Sequence, residues 1–451
     1  MSAKVRDMTV GTPGKLILLF ALPLMLGNVC QQLYTMVDTM VVGQVVGVHA
    51  LAALGAVEWI MWLVLGISQG ITQGFSILIA QYYGAKNREG LKKAAAHSYM
   101  LTALIAVIVL VVSQAGANWL LEFLNTPEDV IGMSLGYVRI VFCGIPVIAA
   151  YNMCASTLRA IGNSRTPLIA MIIAAGINVA LDLLFVAGFS WGVGGAALAT
   201  VIAQTFSAVY CFLVLRKIDE VQVKKGDFGP EEGLNGRLLK LGAPIVFQNV
   251  IIAVGGLVVQ YVVNGYGFLF VAGFTATNKL YGILEMASIS YGYAVVTYVG
   301  QNLGANKPAR IRKGVKASAG IAFVTSAVIS LIMLALGRNI LSLFVSGDPQ
   351  QTEQVLDIAY HYLFMMSCFL WVLYFLYVYR SALQGLGDTL IPMISGIVEF
   401  IMRVGVSLLL PKLIGQNGIF YAEIMAWSGA ATLLSTSYFW RMRKLEKKEI
   451  S

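Results

Sequence analysis

The chain has few charged residues for its length. Asp, Glu, Lys and Arg make up 12% of its 451 residues, against about 25% in an ordinary soluble domain. Hydrophobic residues make up 58%, and the apolar runs repeatedly reach the roughly 20 residues that a helix needs to cross a bilayer. This composition excludes a soluble globular protein. The long runs also exclude an outer-membrane barrel, whose strands show short alternating segments.

Residues that usually build catalytic, cofactor or metal sites are also scarce. The five cysteines lie inside apolar runs without Cys-x-x-Cys spacing, and the three histidines are scattered, so neither a disulfide framework nor a metal cluster is indicated. The chain has no Gly-x-x-x-x-Gly-Lys-Ser/Thr loop for ATP, and no dinucleotide-binding or Ser-His-Asp pattern. We therefore expect neither an enzyme nor a cofactor, and transport is the function class that remains.

The apolar runs predict an all-α polytopic membrane protein with twelve transmembrane helices. Their approximate ranges are 15–42, 51–82, 91–113, 129–159, 166–188, 193–217, 237–264, 270–302, 309–336, 351–384, 389–411 and 418–441. Basic residues lie mainly in alternate loops, as the positive-inside rule describes for cytoplasmic loops. We therefore expect a multi-pass protein of the plasma (inner) membrane with both termini in the cytoplasm. Because these basic residues are spread over many short loops, no nucleic-acid partner is predicted.

The sequence contains an internal repeat. Residues 81–87 and 301–307 match at a shift of 220, and Pro23 recurs as Pro244 at a shift of 221. Both copies of the Gln-x-x-Gly-Ala segment are followed by basic residues, so both face the cytoplasm and the two halves share one orientation. The repeat therefore predicts two parallel six-helix lobes, at 1–217 and 237–451, joined by a polar cytoplasmic linker at 218–236.

Four polar side chains are expected at one depth of the first lobe. Asp38 lies about five residues from the outer end of its helix, and Asp182 about six from the outer end of its own. Asn178 precedes Asp182 by four residues and so shares its helical face. Thr200 follows the outer turn at Trp191 by nine residues, as Asp182 precedes that turn by nine. Carboxylates inside a bilayer cost several kcal/mol, so these acids need a partner, a proton or water.

The chemistry of this cluster leaves two functional interpretations and one structural alternative. Two carboxylates, an amide and a hydroxyl suit oxygen coordination of a hard cation such as sodium. They equally suit a proton shared between interacting acids. The alternative is a hydrogen-bonded polar core that only ties three helices together. Two acids without a basic partner favour a functional role, because a purely structural cluster would be neutralised.

The sequence resembles the multidrug and toxic compound extrusion (MATE) family over essentially its whole length. The resemblance is carried by Pro23 with Asp38 fifteen residues later, by the segments 37–43 and 51–55, and by both Gln-x-x-Gly-Ala loops. Asn178, Asp182 and Thr200 have the spacing of the cation-site residues in the DinF-like branch of that family.

This resemblance implies a V-shaped pair of six-helix lobes and alternating access. It also implies export of small amphipathic organic cations driven by inward protons or sodium. Pro23 is the expected hinge of the first helix. Besides the substrate and the lipid bilayer we expect no partner, and we expect a monomer.

One departure from the family pattern locates the coupling site. The NorM-like branch has acids on helices 7 and 10, whereas here helix 7 has none and helix 10 has only Glu353 and the peripheral Asp357, both near its beginning. The repeat partners of Asp38, Asn178 and Asp182 are Val259, Arg403 and Ser407. We therefore expect coupling to reside in the N-terminal lobe alone.

Two further groups of residues are weaker candidates for the substrate cavity. The tenth helix is rich in aromatic residues and methionine, including Met365 and Phe369, and such a run either lines a drug cavity or faces lipid. Glu399 and Arg403 are four apart on the eleventh helix, a spacing that lets them neutralise each other as a structural pair or contact substrate.

A candidate gate pair comes from the repeat. At a shift of 221, Glu58 corresponds to Lys279, and both lie at similar depth. We predict an ion pair that forms when the outside closes, the alternative being that each charge is satisfied in its own lobe, for instance Lys279 by Glu285.

Two other transport functions compete with drug export. A flippase for a lipid-linked sugar or peptidoglycan precursor would need a surplus of intramembrane Arg and Lys to meet the phosphate charges, whereas here acids balance these bases. A passive channel would not need unpaired titratable acids confined to one half.

Overall fold

The computed structural model describes residues 5–124, 126–345 and 349–450. Throughout these ranges the regular secondary structure is helical, as the long apolar runs predict. The first four residues and the last residue of the predicted lobes lie outside the described residues.

Thirteen α-helices make up most of this part of the chain. They are α1 Pro13–Val45, α2 Val48–Gly84, α3 Arg88–Phe123, α4 Glu128–Cys143, α5 Ile145–Ala160, α6 Arg165–Asp182, α7 Gly192–Leu215, α8 Leu234–Asn264, α9 Phe268–Gly304, α10 Pro308–Leu341, α11 Pro349–Gly385, α12 Leu390–Ile414 and α13 Tyr421–Ile450. A π-helical segment, Leu183–Gly188, continues α6, and short 3₁₀ helices lie at Asp219–Val221, Lys225–Phe228 and Gln416–Phe420.

The helices α4 and α5 form one bent span, with an angle of 49° between them. Gly144 lies at the bend, and Pro146 in the first turn of α5 cannot donate a backbone hydrogen bond. With this pair counted once, the described residues contain the twelve helical segments predicted from the sequence, most of them within a few residues of their expected bounds. Two predicted ends are wrong, because α3 continues to Phe123 and α13 to Ile450, about ten residues beyond the predicted 113 and 441. Nine of them, or ten with the bent pair, are long and apolar enough to cross a membrane by composition, whereas α9 and α13 are more polar.

The backbone of the loops confirms the internal repeat. Lys86 and Asn306, at equivalent positions after the two Gln-x-x-Gly-Ala segments, both adopt a positive φ, of 55° and 53°. Gly162 and Gly387, also equivalent, have φ of 91° and 81°. A side chain at Gly162 would in addition place its Cβ 2.0 Å from the carbonyl oxygen of Arg6, so only glycine fits this turn.

Contacts divide the chain into two compact units. The first unit consists of the described part of Met1–Met8 together with Leu22–Asn249, and the second consists of Thr9–Ala21 with the described part of Val250–Ser451. These units differ from the repeat halves in two places. The beginning of α1 belongs to the second unit, and the beginning of α8 belongs to the first. The division of α1 falls beside Pro23, and that of α8 falls five residues after Pro244.

Within the first unit, the beginning of α8 packs very closely on α2. A Cβ added to Gly74 would lie 2.3 Å from the Cα of Gly242, so the two backbones are in direct contact. Further along, the Asn249 Nδ2 atom donates a hydrogen bond to the Gly66 carbonyl oxygen at 3.3 Å. Gly66 and Gly74 are eight residues apart and lie on one face of α2, which makes this face flat enough to receive a helix backbone.

The segment between α7 and α8 also packs on the first unit. Lys93 on α3 forms an ion pair with Glu231 at 2.9 Å, and this hydrogen bond lowers the pKa of the Glu231 carboxyl group below its usual value. His97 on α3 is buried and contacts the Gly229 carbonyl oxygen at 3.0 Å. The predicted linker is therefore held against the beginning of α3.

Within the second unit, aromatic rings form part of the core. Tyr362 on α11 stacks on Phe274 of α9 and on Phe420, with ring centroids 4.9 and 4.7 Å apart. The segment Thr9–Ala21 belongs to this unit, and Arg310 donates to the Gly11 carbonyl oxygen of that segment at 3.0 Å.

Candidate cation-binding site

Two carboxyl groups lie inside the first unit on α1 and α6. Asp182 is fully buried and Asp38 is 7% exposed, and the two groups are close enough to interact electrostatically. Asp182 is the last residue of α6, where the helix widens into the π-helical segment Leu183–Gly188. Such π segments are rare and occur frequently at functional sites. Gly195 of α7 lets this segment approach, because a Cβ there would lie 3.0 Å from Phe185.

The other two predicted residues lie beside these acids on α6 and α7. Asn178 is fully buried, and its Nδ2 atom donates to the Thr200 hydroxyl oxygen at 3.4 Å. This long hydrogen bond links the two helices. The structure therefore brings Asn178 and Thr200 together, as it brings Asp38 and Asp182 together, although their role stays a prediction.

Several oxygen atoms of this cluster accept no hydrogen bond from the described residues. They are Asp38 Oδ1, Asn178 Oδ1, both carboxylate oxygens of Asp182, and Gln204 Oε1. All five are acceptors, and all are buried. Buried acceptors in a structural polar core are nearly always paired, so the arrangement favours a site that receives a cation or protons over a core that only ties helices together.

Sequence analysis missed three residues of the cluster. The Tyr34 hydroxyl is hydrogen-bonded by Gln204 and interacts electrostatically with both acids, and Tyr137 of α4 interacts with both as well. Tyr34 precedes Asp38 by four residues and Gln204 follows Thr200 by four, so the spacing of one helical turn could have identified them. No sequence signal indicates Tyr137, which only the packing of α4 brings near.

The charge and ligand types of the cluster limit what it can bind. Among the described residues, neither Asp38 nor Asp182 forms an ion pair, and no group of three or more His, Cys, Asp or Glu side chains is placed to hold a metal ion. Carboxylate, amide and hydroxyl oxygens are ligands of hard cations. Two carboxylates among neutral oxygens therefore suit a monovalent hard cation or protons.

The predicted gate residues are exposed within their own units. Glu58 lies on α2 of the first unit and Lys279 on α9 of the second, and neither forms an ion pair within its unit among the described residues. The alternative ion pair of Lys279 with Glu285 is not formed. The Glu285 carboxylate instead accepts a hydrogen bond from the Tyr377 hydroxyl at 2.9 Å. Pairing of Glu58 with Lys279 stays a prediction, as does the hinge at Pro23.

The expected ion pair between Glu399 and Arg403 is wrong. Glu399 pairs with Arg380 of α11, and Arg403 pairs with Glu423 of α13 at 2.8 Å. The two residues lie on one face of α12, but neighbouring helices offer each of them a closer partner. Met365 is buried in the second unit.

The remaining residue of the predicted substrate cavity, Phe369, is 39% exposed. Met365 and Phe369 therefore differ in accessibility, although both lie on α11.

Comparison with known proteins shows the family. The family described as MatE matches residues 23–184 and 244–409, once in each half of the repeat. The chain is a transporter of the polytopic α-helical class and not an enzyme. It belongs to the MATE family.

Named relatives cover most of the chain. It is 30% identical over 79% of its length to the probable multidrug resistance protein YoeA of Bacillus subtilis (strain 168), of which 77% is covered. It is 28% identical over 98% of its length to YpnP of the same organism, of which 99% is covered. It is 23% identical over 91% of its length to the multidrug export protein MepA of Staphylococcus aureus (strain MRSA252), of which 90% is covered.

Solved structures share the fold. A MATE crystal structure in complex with MaL6 superposes with a TM-score of 0.92 at 21% identity, covering 98% of this chain and 99% of the other. A MOP superfamily transporter from Pyrococcus furiosus superposes with a TM-score of 0.93 at 21% identity, covering 99% of each chain. The fold class predicted from the sequence is thereby confirmed.

Proposed function

We propose that this protein is a secondary active transporter that exports amphipathic, mostly cationic organic compounds in exchange for protons or sodium by alternating access. The observation that carries this proposal is the set of five buried acceptor oxygens around Asp38, Asn178, Asp182 and Gln204 that no protein donor satisfies. Such a set is stabilised by a cation or by protons and becomes unfavourable without them.

That dependence provides the coupling. When the cluster opens to the side of higher cation concentration, binding offsets the cost of two buried carboxylates. After the cluster has released its cation, the transporter changes conformation in the cation-free form. The cation-free and cation-bound forms differ in their affinity for the substrate. Exchange of one organic monocation for one coupling cation moves no net charge, so the chemical gradient of the coupling cation drives it. Each tenfold gradient of that cation supplies about 1.4 kcal/mol and sustains about tenfold accumulation of the substrate.

The substrate class and direction rest on the relatives. YoeA and YpnP are named as probable multidrug resistance proteins and MepA as a multidrug export protein. A flippase for lipid-linked pyrophosphates has less support, because Arg380 and Arg403 in the second unit are each already paired with an acid.

The proposed location is the plasma membrane of the cell, with both termini in the cytoplasm. The basic residues that follow the two equivalent Gln-x-x-Gly-Ala loops support this orientation under the positive-inside rule. We propose that the protein works as a monomer, since the cation cluster needs no residue beyond the first unit.

The test is transport by inside-out vesicles from cells that express the protein. We expect uptake of a fluorescent monocation such as rhodamine 6G when either a pH gradient or a sodium gradient is imposed, and loss of uptake when that gradient is collapsed. Vesicles without the protein provide the background. Uptake that ignores both gradients would contradict the coupling, and no uptake of any amphipathic cation would contradict the function.

A further inference from the structure

A second cluster of charged residues lies within the second unit, on four helices. It consists of Glu285 on α9, Arg380 on α11, Glu399 and Arg403 on α12, and Glu423 on α13. Two ion pairs account for four of these residues: Arg380 with Glu399, and Arg403 with Glu423 at 2.8 Å. Glu285 is the fifth member and has no basic partner among the described residues.

Tyrosine hydroxyl groups, rather than a basic side chain, contact the carboxylate of Glu285. The Tyr377 hydroxyl donates to a carboxylate oxygen of Glu285 at 2.9 Å, and the Tyr281 hydroxyl is a second donor to the same carboxylate. These bonds orient the carboxylate but do not neutralise it. With three acids and two arginines, the cluster as a whole carries one surplus negative charge.

A surplus charge within a transmembrane segment is costly. An unneutralised carboxylate there costs several kcal/mol, which is why such residues mark binding sites for ions and substrates. Lys279 does not compensate it, because it lies six residues earlier on α9 and forms no ion pair within the second unit's described residues. The cluster therefore needs either a proton on one of its acids or a positive charge from outside the protein.

The accessibility of the cluster is uneven. Arg380, Glu399 and Arg403 are buried, whereas Glu285 and its two tyrosines are each only partly buried. The acid that lacks a basic partner is therefore partly exposed, whereas the Arg380–Glu399 ion pair is buried. The Arg380 guanidinium lies 5.4 Å from the ring centroid of Tyr377 and helps to hold that ring in place.

The surroundings of Glu285 favour a large cation over a small one. Tyr281 stacks on the buried Trp427 with centroids 5.7 Å apart, and the ring of Tyr377 carries the hydroxyl that donates to the carboxylate. The five buried oxygens that accept no hydrogen bond, and that could coordinate sodium, belong to the first unit. No oxygen of Glu285 is among them. A diffuse organic cation can instead use one carboxylate and the faces of aromatic rings.

We infer that Glu285, with Tyr281 and Tyr377, binds the positively charged group of an organic monocation, and so forms a cation-recognition subsite in the second unit. The inference rests on the proposed function, since it names the residue that selects cationic substrates. The work is thus divided between the units: the first binds the coupling cation through free oxygens, and the second binds the organic cation through one charge and aromatic rings.

The test measures binding of rhodamine 6G, a permanent monocation, to the purified full-length protein by fluorescence polarisation. Glu285→Gln keeps the size of the side chain and an acceptor for both tyrosines but removes the charge, so we expect affinity to fall by about tenfold or more. Tetraphenylphosphonium should compete with the dye in the wild type, and the neutral triphenylphosphine oxide should compete much less. This difference between competitors should disappear in the variant.

Two further variants make the result decisive. Glu353→Gln removes an exposed acid near the beginning of α11 that pairs with Arg338, and it should leave the affinity unchanged. Tyr377→Phe keeps the ring and loses the hydrogen bond, so it should weaken binding a few-fold, and it replaces Glu285→Gln if that variant does not fold.

The outcomes separate this inference from the proposed function. A folded Glu285→Gln protein that binds rhodamine 6G within twofold of the wild type, with the preference for cationic competitors intact, overturns the subsite. If wild-type vesicles meanwhile still accumulate the dye in a gradient-dependent way, only the subsite is lost. If wild-type vesicles accumulate no cation at all, the proposed function fails as well.

Discussion

Replacing Asp182 by asparagine should remove transport and at the same time stabilise the protein. Asp182 is fully buried, and both of its carboxylate oxygens lack a donor among the described residues. Asparagine has the same size and one acceptor oxygen, but no charge, and it brings two N–H donors. Those donors lie within a cluster whose Asp38 Oδ1 and Gln204 Oε1 atoms are also unsatisfied.

The magnitude of the stabilisation follows from burial and hydrogen bonding. A charged aspartate at the centre of a membrane helix costs about 3 kcal/mol on the insertion scale, and an amide that makes imperfect hydrogen bonds costs about 1 to 2 kcal/mol. One new hydrogen bond adds about 1 kcal/mol. We therefore expect a net gain of about 2 kcal/mol in the absence of a coupling cation, which corresponds to a rise of a few degrees in melting temperature.

The same substitution should remove the coupled accumulation of substrate. With one carboxylate lost, the site no longer needs a cation to offset two buried charges. The accumulation of rhodamine 6G, which is about tenfold for a tenfold cation gradient at one-for-one exchange, should therefore fall towards unity. Asp38→Asn should behave in the same way, with a smaller gain in stability, because Asp38 is slightly exposed and has only one orphan oxygen.

The assays are gradient-driven uptake of rhodamine 6G by inside-out vesicles and thermal unfolding of the purified protein in sodium-free buffer. Asp129→Asn, an exposed acid that contacts His49 at 3.4 Å, is the matched control and should change neither result. If the cluster were only a structural core, the Asp182 variant would melt at a lower temperature and retain transport. Wild-type accumulation in this variant would refute the coupling role.

Three further changes test the remaining residues. Thr200→Ala should lower the transport rate only a few-fold in the vesicle assay, because it removes one uncharged ligand and the long hydrogen bond from Asn178. Exchanging the charges of Glu58 and Lys279 should partly restore the outward-closed population that either single change loses, as measured by a spectroscopic distance between labels on α2 and α9. Gly74→Ala should lower the free energy of unfolding by about 1 to 3 kcal/mol in thermal denaturation, because its Cβ would lie 2.3 Å from the Cα of Gly242.

Each of these changes has its own contradicting result. Loss of all transport in Thr200→Ala would make the hydroxyl as important as the carboxylates. If the charge exchange were no better than either single variant, the gate pair would be wrong. Gly55→Ala, also on α2 but with nothing within 4 Å of the added Cβ, is the control for packing, and equal stability of the Gly55 and Gly74 variants would contradict the close helix contact.

Local features of the sequence were enough for the helices, the repeat and part of the cation cluster. The length and hydropathy of an apolar run determine whether it can cross a bilayer, and neither depends on distant contacts. Asn178 and Asp182 share a face because four residues make about one helical turn. Tyr34 and Gln204 could have been found by the same spacing, from Asp38 and Thr200.

Charge pairing in the second unit could not be inferred in this way. The four-residue spacing of Glu399 and Arg403 allows an ion pair, but spacing only makes a contact available. Packing of α11 and α13 against α12 brings Arg380 and Glu423 closer, and these residues become the partners. Only this arrangement reveals that Glu285 has no basic partner, because the packing of the helices determines which acid pairs with which base.

By itself, the sequence determined the class of protein, the twelve helical segments, the two similar halves and the presence of acids inside the membrane. These properties depend on composition, on periodicity and on the positions of glycine and charge along the chain. Tertiary structure decided which oxygens stay unsatisfied, that Tyr137 approaches the cation cluster, and that the beginnings of α1 and α8 exchange units. Each of these depends on contacts between residues far apart in the chain, whose formation is governed by the packing of whole helices rather than by any local pattern.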